Sequence, residues 1–148
     1  MIVHQYFDEV QTWCVVFFLR ERPRTRFIHY LLNDDFVHCI LLREMPDGRT
    51  LMIDPEQWGI AISFQDKALE NILLEYGPRA SAVLMHTVDY RRFSQYRVRG
   101  VYTCVTLCKA ILGLWKCWGV QTPFGLYRLL LKYPTTTIIK PYSPYLPK

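Results

Sequence analysis

Cys104, His38 and Asp54 carry the three side-chain types that thiol-based acyl chemistry requires. Such chemistry needs a thiolate that can be stabilised, a base that can take its proton, and a third group that orients the base. A helix N-terminus supplies the first through its free amides and dipole. Cys104 stands in YTCVTLCKAILGL, where a helix is expected to begin. His38 lies inside FVHCILLRE, a strand pattern. Strand alternation predicts that His38 shares a face with Phe36 and Ile40, while Val37, Cys39 and Leu41 turn the other way. Asp54 closes TLMIDP, the partner strand of the same hairpin, from which a carboxylate can reach the second ring nitrogen of the histidine. Singly, each has an ordinary explanation. A histidine in a strand is commonly a satisfied core or edge residue, a cysteine on a helix face is commonly a small core residue, and an aspartate before Pro55 can open a turn. The combination is what points to nucleophilic catalysis.

The other groups with chemical potential assemble less well. His86 with Asp89 could act as a base and its partner, and His29 beside Tyr30 is a further base. Cys104 and Cys108 are one helical turn apart and could ligate a metal. A closed zinc site needs four ligands, and no second Cys/His pair has matching spacing. No metal and no cofactor is therefore expected. There is no glycine-rich phosphate loop and no G-x-S-x-G motif.

These residues need elements to hold them. Thr12–Leu19 is a continuous β-branched and aromatic run that reads as a buried strand. Phe36–Arg43 and Thr50–Asp54 are strands joined by MPDG, which places Pro, Asp and Gly where a tight turn needs them. Trp58–Phe64 continues as a third strand. Ser63 and Asp66 resemble a capping box, and Ala68, Leu69, Ile72, Leu73 and Tyr76 then recur at helical spacing until Gly77–Pro78. Ala80–Val88 is another strand, and Asp89–Arg99 is a polar, basic loop. Cys104, Leu107, Cys108, Ile111, Leu112 and Trp115 share one helical face, with Gly119 expected to end the helix. Thr122–Pro123 is an N-cap followed by proline, opening a helix to about Lys132 with Leu126, Leu129 and Leu130 inward. From residue 133 to Lys148 the chain carries Pro134, Pro141, Pro144 and Pro147 and is expected to have no regular structure.

The expected product is one α+β domain over residues 1–132, a small antiparallel sheet packed against helices, with a Pro-rich tail over 133–148. The 148 residues are 51% hydrophobic, enough for one sizeable core and too few for two ordinary domains. The longest apolar run, near Val101–Leu114, is interrupted by Lys109, so no membrane span is expected. MIVHQYFDEV lacks a basic start and does not read as a secretory signal. Five cysteines without framework spacing read as free thiols of a reducing cytoplasm. The net charge of +5 gathers in two arginine clusters, Arg20/Arg22/Arg24/Arg26 and Arg91/Arg92/Arg97/Arg99. Two solvated loops explain them most simply. Tyr90, Phe93 and Tyr96 beside the second cluster leave a weaker reading, single-stranded nucleic acid.

The segments FVHCILLRE, TLMIDP and YTCVTLCKAILGL, in that order, resemble the permuted branch of the papain-like fold. That branch includes NlpC-type hydrolases of reversed order, the YiiX-like proteins and lecithin–retinol acyltransferase. TPFGLYRLLLK is similar to the tail of small phage-encoded proteins of this type. The resemblance spans roughly residues 36–132 and leaves Asp89–Arg99 unexplained. It implies a thiol hydrolase or acyl-transfer enzyme acting on an amide or ester bond of a peptide-like or acyl substrate. Cys104 would attack, His38 would move the proton, and Asp54 would orient His38. The Cys104 amide would form part of an oxyanion hole, with Tyr102 supplying the rest. It also implies the host cytoplasm or a virion as location. The alternative is a non-catalytic structural or interaction protein of a phage particle on the same scaffold, engaging a protein partner through its Pro-rich tail.

Overall fold

The computed structural model describes residues 10–19, 36–56, 59–92, 103–114 and 116–142. Strand β1 (Val10–Leu19) is the apolar run expected from the sequence, extended by two residues. Its side chains alternate between two buried environments. Trp13, Val15 and Phe17 enter one core cluster, and Cys14 and Val16 the other. A strand buried on both faces has no polar positions to alternate with, so it reads as an unbroken apolar run.

β1 pairs antiparallel with β2 (Phe36–Glu44) on one side and β5 (Ala80–Asp89) on the other. β3 (Thr50–Glu56) and β4 (Gly59–Gln65) extend the sheet beyond β2. β6 (Thr136–Lys140) extends it beyond β5. The order is β4-β3-β2-β1-β5-β6, every pairing antiparallel. The MPDG hairpin forms as expected. Gly48 N donates to Met45 O at 2.9 Å, Gly48 takes φ +81°, and the Asp47 side chain accepts from Arg49 N at 3.1 Å. A side chain at Gly48 would be strained by that left-handed backbone.

Helix α1 (Leu69–Tyr76) covers one sheet face, where Leu69 and Ile72 pack on Cys14, Val16, Ile40 and Leu42. Helices α2 (Cys104–Ile111) and α3 (Pro123–Leu130) cover the other. There Val105, Cys108, Leu126, Tyr127 and Leu130 pack on Val15, Phe17, Cys39 and Leu41. The α+β class is therefore observed, as a sheet between two helical layers.

Several local expectations are corrected. Ser63 and Asp66 form no capping box: Ser63 lies within β4, and α1 starts after Ala68 with no side-chain cap. α2 ends at Ile111 rather than continuing toward Gly119, because Gly113 at φ +70° turns the chain out of the helix. The segment after Lys132 is not free of regular structure, since Thr136–Lys140 pairs with β5. Its prolines bracket that strand at 134 and 141 and so do not interrupt its ladder. Lys140 fastens it further, its Nζ donating to the carbonyls of Gly77 and Ala80 at 2.7 and 2.5 Å.

Candidate active site

The ladder between β1 and β2 breaks just before His38. Along β1, Phe18 pairs with His38 and Leu19 with Phe36, so Val37 is an extra residue on β2. The alternation resets there. Phe36 joins Cys39 and Leu41 in the cluster under α2 and α3, while Ile40 faces α1. The expectation that Phe36 and Ile40 share a face is thus corrected, and the cause is a β-bulge, a device that re-aims a neighbouring side chain. The His38 ring stacks on Phe18, with centroids 6.2 Å apart.

His38 Nε2 and Asp54 Oδ1 are 2.7 Å apart, with both side chains about one third exposed. β3 brings Asp54 there through its pairing with β2, in which Leu41 faces Ile53. With Asp54 on Nε2, Nδ1 is the ring nitrogen left for another partner. Burial lowers the His38 pKa, Cys104 and Asp54 raise it, and the net effect is a rise above the ordinary histidine value.

Cys104 is the first residue of α2. Thr103 caps the helix, its side-chain oxygen accepting from Thr106 N at 3.1 Å. In a helix the amides of the first turn have no intrahelical acceptor, and Cys104 and Val105 lie in that turn of α2. Cys104 and His38 are close enough that each shifts the other. The thiol, however, sits above its ordinary pKa. The neighbouring Cys39 thiol and burial raise it, and His38 lowers it by less. The resting site is therefore a protonated thiol, contrary to the depressed thiol expected of a helix start. The helix position does favour a thiolate, but Cys39, on the face opposite Ile40 together with Leu41, packs in the cluster under α2.

Cys39 is the functional-site residue that sequence reasoning missed. It is fully buried, and its sulfur is 3.6 Å from that of Cys108. Cys104 lowers its pKa, while Cys108 and burial raise it more, leaving it well above an ordinary thiol. All five cysteines are free, as expected; Cys14, Cys39 and Cys108 are buried, and Cys104 and Cys117 are partly exposed. Lys109 is a second surprise. It is 95% removed from solvent, and its Nζ donates to the carbonyls of Cys117 and Val120, tying the following loop to α2.

Of the other candidates, Tyr102 and His29 lie outside the described residues, as do Arg20, Arg22, Arg24, Arg26, Arg97, Arg99, Phe93 and Tyr96. His86 and Asp89 form no pair: His86 Nδ1 bonds Thr136 Oγ1 at 2.8 Å, and Asp89 binds Arg91 and Arg92. Among the described residues, no three His, Cys, Asp or Glu side chains group to hold a metal ion. No helix among them is long and apolar enough to cross a membrane.

The arrangement can do proton-coupled nucleophilic chemistry. A thiol beside an imidazole, with a carboxylate on the far ring nitrogen, can pass its proton to the ring as the sulfur attacks. Comparison with protein-family models, curated proteins and solved structures finds no match for this chain.

Proposed function

We propose that the chain is a thiol hydrolase or acyl-transfer enzyme acting on an amide or ester bond, built as a permuted papain-like domain. The observation that carries this reading is the 2.7 Å His38 Nε2–Asp54 Oδ1 contact, which leaves Nδ1 for the Cys104 thiol at the start of α2. Because Cys104 rests as a thiol, attack proceeds by general-base transfer of its proton to His38 as the S–C bond forms. Asp54 holds the ring and stabilises the imidazolium produced. The first-turn amides of α2 face the charge that develops on the carbonyl oxygen. His38 then protonates the leaving group, and water releases the thioester by the same route. The substrate class is peptide-like or acyl.

A second reading is a non-catalytic structural protein, for instance of a phage particle. The thiol held above its ordinary pKa by Cys39 and burial favours it. The test is a screen of the protein and its Cys104→Ala variant against peptide, ester and thioester substrates, with thermal unfolding of both. The enzyme reading expects activity only in the parent, with a stability change of about 1 kcal/mol or less. No turnover by the parent, together with a clearly destabilised variant, would favour the structural reading.

A further inference from the structure

A hydrogen bond to one ring nitrogen fixes a point of an imidazole but not its plane. The χ2 torsion of histidine is broad, so the His38 ring, about one third exposed, can still tilt against its contact with Asp54. Phe18 supplies the second constraint. It stands opposite His38 in the pairing of β1 with β2, so the two side chains leave adjacent strands on one face. Their rings are stacked, with centroids 6.2 Å apart and planes 24° from parallel. Phe18 is itself held. Tyr76, the last residue of α1, meets it in a T-shaped contact with centroids 5.9 Å apart. The Tyr76 hydroxyl in turn donates to Met52 Sδ at 3.7 Å. Met52 and Asp54 are two residues apart on β3 and so share a face. One strand thus fixes both constraints on the ring, directly through Asp54 and indirectly through Tyr76 and Phe18.

We propose that Phe18 is a positioning residue for His38: its ring face holds the imidazole plane in which Nε2 points to Asp54 and Nδ1 is left for the Cys104 thiol. The inference rests on the reading of His38 as the base and adds a residue that acts only through that base. The stack has two consequences. A preset ring plane keeps the neutral imidazole in one tautomer, with the proton on Nε2, so that Nδ1 carries the lone pair that accepts the thiol proton. The negative face of the Phe18 ring also lies beside the imidazolium formed by that transfer and stabilises its charge. Asp54 from β3 and Cys104 from α2 are the titrating groups that act on the same ring, and Tyr76 from α1 reaches it through Phe18. A leucine at position 18 keeps apolar bulk beside His38 but offers no ring face, which separates the proposed role from packing.

The experiment compares the native full-length chain with Phe18→Leu and Phe18→Tyr, following the His38 ring by proton and nitrogen-15 NMR as pH is varied. The His38 signals are assigned by their loss in His38→Gln. Above the midpoint, the parent and Phe18→Tyr should each show one protonated and one bare ring nitrogen. In Phe18→Leu the two nitrogen signals should move toward each other as the tautomers mix, and the midpoint should fall by about half a unit. Phe18→Met, which also lacks a ring, carries the test if Phe18→Leu does not fold. Nitrogen signals and midpoint unchanged in the ringless variant overturn the proposal. So does an equal change in Phe18→Tyr, which would assign the effect to packing. The ring is read without turnover, so the two claims separate. The expected NMR changes in a parent that turns over no substrate support the positioning role and remove the enzyme reading. Turnover by the parent, with His38 signals that ignore Phe18→Leu, does the reverse.

Discussion

Protonation governs the site at the scale of single residues, and two titrations follow from it. Cys104 and Asp54 lift the His38 pKa against the opposing pull of burial. Replacing Asp54 with Asn removes one lifting charge, so the His38 titration, followed by proton NMR of the ring, moves to lower pH. An unchanged midpoint would remove Asp54 from the site. The sign also fixes the pH response of turnover. His38 acts as a base only when neutral, so the rate rises with pH through a His38 pKa that lies above the ordinary histidine value. Cys104 titrates above an ordinary thiol, chiefly because of Cys39. Its alkylation by iodoacetamide therefore accelerates at higher pH than that of a free cysteine, and Cys39→Ala shifts the acceleration downward. Equal pH profiles for the two proteins would show that Cys39 has no such influence.

Each element contributes by where it begins, ends or breaks. Thr103 and Thr122 cap α2 and α3 in the same way, their side-chain oxygens accepting from Thr106 N and Gly125 N. Replacing either with Ala costs about 1 kcal/mol of unfolding free energy. Only Thr103→Ala also frays the turn that carries Cys104, so it alone slows Cys104 alkylation or turnover. Equal effects of the two variants on Cys104 would uncouple the cap from the site. The Thr122–Pro123 start, the MPDG turn and the buried β1 run were legible in the sequence because each rests on local chemistry. The pairing of His38 with Asp54 was legible because one hairpin holds both. The bulge at Val37 was not, since it arises from the register against β1, on which His38's own segment is silent. Phe36 was placed on the wrong face for that reason, and the contacts of Cys39 with α2 were not legible because they are tertiary. β6 was hidden by prolines that flank it without entering it, and the early end of α2 was hidden by apolar residues that continue past Gly113.

The whole molecule depends on two cores that β1 separates, and stability changes should report which core is touched. Leu130, the last residue of α3 and fully buried, belongs to the larger cluster. Leu130→Ala should cost about 2–5 kcal/mol in chemical denaturation, as a buried leucine leaves a cavity. A cost under 1 kcal/mol would mean that α3 is loosely seated. His86 provides the pH dependence. It is buried against Tyr133 and bonded to Thr136 of β6, and burial lowers its pKa. Its neutral form is favoured in the fold, so its contribution is fully present above the unfolded histidine value. That contribution is lost as pH falls through the lower folded pKa. Melting temperature should therefore fall on acidification below neutrality, and His86→Gln should flatten that fall. An unchanged acid limb in the variant would assign it to other groups.

The central claim is that Cys104 attacks carbonyl carbon with His38 as its base. Incubation of the native chain with an activated ester near neutral pH, followed by rapid acid quench and peptide mass mapping, tests it most directly. The account predicts a thioester on Cys104 that builds quickly and decays with water, is absent in Cys104→Ala, and builds far more slowly in His38→Ala. Acylation spread over Cys117 and the surface lysines, or a Cys104 adduct formed equally fast without His38, would contradict it.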